Sequence, residues 1–212
     1  VPSGGYVLGV APDRRALVIA VDGETALVRI RDGARIAQPL GHARRAAFGA
    51  GGERLLLGGA EGAVLLRLAA DASIAAVVSL GVGDVREVAL AGRVDRAALV
   101  DTQGRIHIVD VEAGAARLRS VLPAADEASR PQALSLTPDG ALLLTGHAGA
   151  RVALWDLSAE SRLVASGIIN ADQSRPPVVL EVDLDAGGCW AVADTDWAGL
   201  ALLQLDRERG TV

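Results

Sequence analysis

The chain of 212 residues contains no methionine and no lysine, one cysteine, one phenylalanine and one tyrosine. Each scarcity excludes something. With Cys189 alone there is no internal disulfide and no cysteine-built zinc site. Aromatic residues make up 2% of the chain, so its core must be built from Ala, Val, Leu and Ile. Half of the residues are hydrophobic, enough for a sizeable core. No stretch of about 18 apolar residues occurs, so no helical membrane insertion is expected. The net charge is −5 and no arginine-rich run stands out, which argues against nucleic acid or an anionic membrane as partner. All 21 basic residues are Arg. With abundant Ala and Gly, this composition suggests a GC-rich bacterial gene and a cytoplasmic product. Residue 1 is Val and Met is absent, so the expectation is a processed piece or a portion of a longer protein.

What the chain does have is rhythm. Short apolar runs recur about every ten residues, separated by turn signals such as "APDRR", "VDGE", "RDGA", "GAEG" and "TPDG". Helical periodicity is weak throughout. Two landmarks set a repeat. The apolar residue before the first turn falls at Val10, Phe48, Leu90, Leu136 and Leu184, at intervals of 38, 42, 46 and 48. The residue equivalent to Asp156 in "ALWDL" falls at Arg29, Arg67, Asp110 and Gln204 in the other units. Within each unit the landmarks lie 19 or 20 residues apart. A constant inner distance with variable connections is what a structural repeat predicts. About 40–48 residues per unit fits a four-stranded propeller blade.

The chain is therefore expected to be all-β, one propeller region over 1–212 with units at about 6–39, 45–80, 86–122, 131–168 and 177–212. Unit four parses most clearly, with strands at about 132–136, 141–145, 151–157 and 163–167. Apolar residues alternate along each strand, leaving a face to pack on a neighbouring blade. A lone blade cannot bury its faces, which is why such units come in arrays. Val212 falls where the outer strand of unit five would begin, so the last blade is expected to lack it. These five blades would then belong to a larger ring.

"LSLTPDGALLLTGHAGARVALWDL" resembles a blade of the WD-repeat β-propeller family, with Pro138, Asp139, Gly140, Trp155 and Asp156 at matching sites. The likeness runs along the whole chain but is specific only in unit four. The family's Gly-His pair precedes only unit two, as Gly41 and His42, while Gly146 and His147 lie at a different turn. The family's buried hydrogen-bond network of His, Asp, Ser/Thr and Trp is thus expected to be absent or broken in every blade. Aliphatic packing would then hold the blades together.

Candidate chemistry is sparse. His42, His107 and His147 are scattered, and no nucleophile has a local His–Asp arrangement. No catalytic residue, metal site or cofactor is assigned. Asp183, Asp185, Asp194 and Asp196 do not complete a calcium-loop pattern, and read as turn-shaping carboxylates. The connections "LGHARR", "GVGDVR", "PAADEASRP" and "INADQSRPP" each end near an arginine ahead of the first strand: Arg44, Arg86, Arg130 and Arg175. On a propeller these connections surround one mouth of the channel. An arginine ring there could grip an acidic peptide or anion, or simply solubilise the surface. Trp197, beside Asp196 in a loop, is a candidate interface anchor.

The leading expectation is a scaffold or sensor module of a larger protein, with no covalent chemistry. Its partner would be another protein, or another part of the same polypeptide that completes the ring. Two other readings stand beside it: an enzyme with its site at the channel mouth, and structural blades that only complete a ring.

Overall fold

The computed structural model describes residues 5–36, 41–123, 130–169, 177–196 and 199–206. They form five antiparallel sheets, each an up-and-down meander in chain order. Blade 1 holds β1 (Tyr6–Val10), β2 (Ala16–Val21) and β3 (Glu24–Arg29). Blade 2 holds β4 (Ala43–Phe48), β5 (Arg54–Gly59), β6 (Gly62–Leu68) and β7 (Ile74–Ser79). Blade 3 follows with β8 (Val85–Leu90), β9 (Arg96–Asp101), β10 (Ile106–Glu112) and β11 (Ala115–Leu122). Blade 4 has β12 (Pro131–Leu136), β13 (Leu142–His147), β14 (Arg151–Asp156) and β15 (Arg162–Ile168). Blade 5 has β16 (Val179–Leu184), β17 (Trp190–Thr195) and β18 (Gly199–Gln204) among the described residues. The first strands β1, β4, β8, β12 and β16 neighbour one another in series, as the inner strands of a β-propeller do.

The two sequence landmarks are hydrogen-bonding positions. After the first landmark, the amides of Ala11, Gly49, Ala91, Thr137 and Asp185 donate to the carbonyl five residues on. After the second, the amides of Ile30, Leu68, Val111, Leu157 and Leu205 donate to Arg15, Glu53, Asp95, Ala141 and Cys189. The first bond closes the hairpin between strands one and two. The second ties the end of strand three to the start of strand two. Both bonds persist whether the landmarks lie 19 or 20 residues apart, so only the hairpin between strands two and three absorbs a residue, and larger length changes fall elsewhere.

Each adjacent pair of blades shares its own aliphatic core. Leu27 meets Leu55 and Leu57 between blades 1 and 2, and Leu65 meets Val85 and Leu99 between 2 and 3. Ile106 and Ile108 meet Leu136 and Leu143 between 3 and 4, and Leu144 and Leu154 meet Val179 and Val182 between 4 and 5. Close approach depends on glycine. A Cβ on Gly58 would lie 2.5 Å from Val88 Cγ1 and 2.9 Å from Val85 Cγ1.

Aliphatic packing is not the whole of the inter-blade contact, contrary to the sequence expectation. Buried Arg54 of blade 2 donates to Asp95 Oδ1 of blade 3 at 3.0 Å, and Arg67 bonds the other oxygen. Arg96 of blade 3 holds Asp110 on its own sheet at 2.6 Å and reaches Gly140 O of blade 4 at 2.7 Å. The expected loss of the Trp-centred network is also incomplete. In blade 4, Trp155 Nε1 donates to Thr145 Oγ1 at 3.3 Å, and His147 Nε2 lies 2.7 Å from the same hydroxyl. His147 ends strand β13, so the ring comes from the blade's own second strand rather than from the preceding loop.

Candidate functional site

In blades 2 to 5 the inner strand has an irregular register at its second residue: after Ala43, Val85, Pro131 and Val179 the pairing skips one position. The skipped residues are Arg44, Arg86, Gln132 and Leu180. A bulge frees a side chain from the alternation that would otherwise commit it to a blade interface. Arg44 and Arg86 therefore belong to the inner strands β4 and β8, not to the connections ahead of them as the sequence suggested. Arg130 immediately precedes β12.

These three arginines, from three successive blades, line one concavity of about 370 Å³ where the inner strands begin. Its floor and far wall include Glu87, Asp101, Thr102 and Gln132. Asp196 lies on blade 5 and is not part of this lining; its Oδ1 accepts from Val178 N at 3.0 Å. Arg175 and Trp197 lie outside the described residues.

The charges are ordered by pairing. Arg44 Nη1 reaches Asp84 Oδ1 at 2.7 Å, both side chains about half exposed. Arg45 Nε sits 2.8 and 2.9 Å from the two oxygens of Glu87. Burial pushes the Glu87 carboxyl above its usual range, although Arg45 pulls the other way; Glu181 across the channel adds to the rise. Asp101 is nearly buried at the end of β9. It accepts from Arg105 Nε and His107 Nε2, each at 2.8 Å, and from the amides of Gln103 and Arg105. Burial opposes its ionisation, but these four donors outweigh it and hold the carboxyl below the usual range. The 101–105 loop is thereby fixed around one carboxylate, forming a rigid wall of the concavity. Arg86 is exposed and has no ion pair or hydrogen bond among the described residues.

The sequence did not expose the role of Asp101 or Glu87. Asp101 differs from the equivalent residues of other blades (Gly59, His147, Thr195), so no repeat signal marks it. His107, in β10, is the ring that orients Asp101. Of the blade-5 carboxylates, Asp185 shapes a turn, its Oδ1 accepting from the amides of Cys189 and Trp190, each at 2.7 Å, whereas Asp183 and Asp194 lie within β16 and β17 rather than in turns.

No protein family and no curated protein matches this sequence. Among solved structures the chain is similar to the β-propeller domain of Cps50 (Swd1) from Myceliophteria thermophila. The TM-score is 0.73 at 16% identity, over 99% of this chain and 68% of that one. At that identity the likeness is one of fold, and the fold is the β-propeller.

Proposed function

We propose that this chain is a protein-interaction module, a scaffold or sensor part of a larger assembly, that grips an acidic segment of its partner at the channel mouth. Arg44, Arg86 and Arg130 are the contacts to the acidic segment, with Arg175 as a further cation for it and Trp197 and Asp196 as contacts to the rest of the partner. The observation that carries the reading is the concavity itself: three arginines from three blades around one space, with Arg86 unpaired among the described residues. Guanidinium groups bind carboxylates through paired N–H donors, and a fixed wall limits the entropy lost on binding. The neighbouring Asp84 and Glu87 temper the field, so the site selects a patterned acidic segment over a highly charged polyanion.

Fluorescence anisotropy with a labelled ten-residue Asp/Glu-rich peptide tests this. Arg86→Ala should weaken binding about tenfold or more, with Arg44→Ala and Arg130→Ala additive to it, and affinity should fall with added salt. A peptide that does not bind, or binds equally well to Arg86→Ala, would reject the reading.

A further inference from the structure

The five blades do not close on themselves among the described residues: every shared aliphatic core joins consecutive blades, and none joins blade 5 to blade 1. The free face of blade 5 is instructive because the register identifies its counterparts. Trp190 pairs with Gln204 and Val192 with Leu202, as Leu142 pairs with Asp156 and Leu144 with Leu154 in blade 4. In blade 4, Val152 and Leu154 are 1% and 0% exposed beneath blade 5. Their counterparts Leu200 and Leu202 are 76% and 70% exposed, with Trp190 and Val192 beside them also exposed. Ile106 and Ile108 in blade 3, and Ala63 and Leu65 in blade 2, are buried at the same positions. Blade 5 thus has the residue pattern of a covered face. Water-facing strands show no such apolar cluster without a reason.

One position differs. In blades 2 and 4 it is Gly58 or Gly146, where Val85 and Val88, or Val179 and Val182, of the next blade press in, and in blade 3 it is the buried Val100. The equivalent residue of blade 5 is Asp194, which pairs with Leu200 and has no hydrogen-bond partner among the described residues. Blade 5 carries no basic side chain among its described residues. An ionised carboxylate enclosed under another sheet is best compensated by a cation. Two blade-5 faces from two copies would set acidic surface against acidic surface, which disfavours that pairing.

We propose that the free face of blade 5 is the seat of a further blade-type β-sheet, packed as blade 5 packs on blade 4, whose inner strand brings an arginine or lysine to Asp194. This surface is independent of the arginine concavity.

The test compares the full chain with the same chain extended after residue 212 by a second copy of residues 43–122. That copy opens with Ala43, Arg44 and Arg45, small side chains with cations beside them. The parent should bind the apolar dye 8-anilinonaphthalene sulfonate. Leu200→Asp with Leu202→Asp should abolish that binding without loss of β-sheet circular dichroism. The extended chain should be monomeric by light scattering and dye-silent, and Asp194→Ala should restore part of the dye signal in it. A second extension, with a copy of residues 85–169, guards against misfolding of the first. The proposal is overturned if the parent is dye-silent and monomeric, or if both extended chains bind as much dye as the parent. It is also overturned if the parent forms a discrete dimer that both Leu202→Asp and Val10→Asp abolish, because the occupant would then be a second copy.

Discussion

His107 Nε2 lies 2.8 Å from Asp101 Oδ2, so the third strand of blade 3 clamps a carboxylate at the end of the second. The same carboxylate holds Arg105 and two amides of the loop between these strands. Four donors on one nearly buried group make this loop the most heavily tied part of the concavity. Replacing Asp101 by Ala leaves them without an acceptor, at a cost of about 2–3 kcal/mol in urea unfolding at neutral pH. The pH dependence has a definite sign. The folded carboxyl titrates below its unfolded value of about 4, so its contribution is complete above that pH. It disappears as pH falls through the lower folded value. The gap between parent and Asp101→Ala should therefore be constant from pH 5 to 7 and narrow in acid, and a gap that widens in acid would contradict this pairing.

Arg54 and Arg67 both reach Asp95, yet they should not matter equally. Arg54 is buried and Arg67 is about half exposed. Asp95→Ala removes the main carboxylate partner of a buried guanidinium, leaving it Gly92 O and the more distant Glu53, and should cost about 3 kcal/mol. Arg67→Ala removes a solvent-screened partner and should cost under about 1 kcal/mol. A double-mutant cycle on Arg54 and Asp95, read by urea unfolding, should give a coupling of about 1–3 kcal/mol. Equal effects of the two arginines would mean that burial does not decide the strength of this contact.

This pair also shows where the sequence is legible. The landmarks at Phe48 and Arg67 could be found because the backbone bonds at Gly49 and Leu68, and their equivalents in every blade, hold the spacing between them to within one residue. The partner of Arg54 could not, because Asp95 is 41 residues away and no repeated residue marks the link. Arg44, Arg86 and Arg130 were visible as arginines near inner strands. Their convergence depends on blade curvature and on the register skip at residues 44 and 86, and neither leaves a trace in composition. Asp101 and His107 are single departures from the repeat, so comparing blades hides them.

Gly58 should tolerate no side chain. The adjacent Val85 and Val88 would have to move if a Cβ were added, and they are fixed in the core between blades 2 and 3. Gly58→Ala should cost about 1–3 kcal/mol. Adding Val88→Ala should recover part of that loss, because the contact at 2.5 Å is with Val88 Cγ1. Thermal unfolding of the single and double variants checks it, and an absence of rescue would place the strain elsewhere.

Thr145 is fully buried and its hydroxyl serves both Trp155 and His147. Thr145→Val keeps the shape and removes the hydroxyl, leaving an indole N–H unpaired. The expected loss is about 1–2 kcal/mol. In a Trp155→Phe background, where that N–H is gone, the same substitution should cost less. Equal costs in both backgrounds, measured by urea unfolding, would show that the hydroxyl does not act through Trp155, leaving its contacts to His147 and Ala153 O.

Glu87 should behave opposite to Asp101 although both border the same concavity. Burial raises its folded titration above the unfolded value, and the Arg45 contact does not cancel the rise. For an acid this means that the folded state holds the proton more tightly than the unfolded chain. Stability contributed by the protonated form is therefore present in acid and lost as pH rises through the folded value. Glu87→Gln cannot titrate, so the parent should lose stability relative to the variant as pH rises from the unfolded carboxyl value of about 4 through the raised folded value. The Arg45 contact favours the ionised carboxylate and so opposes this slope, while burial sets its sign. Urea unfolding of parent and variant across that range measures it directly. A parent that gains on Glu87→Gln with rising pH would show that Arg45 outweighs burial at the channel mouth.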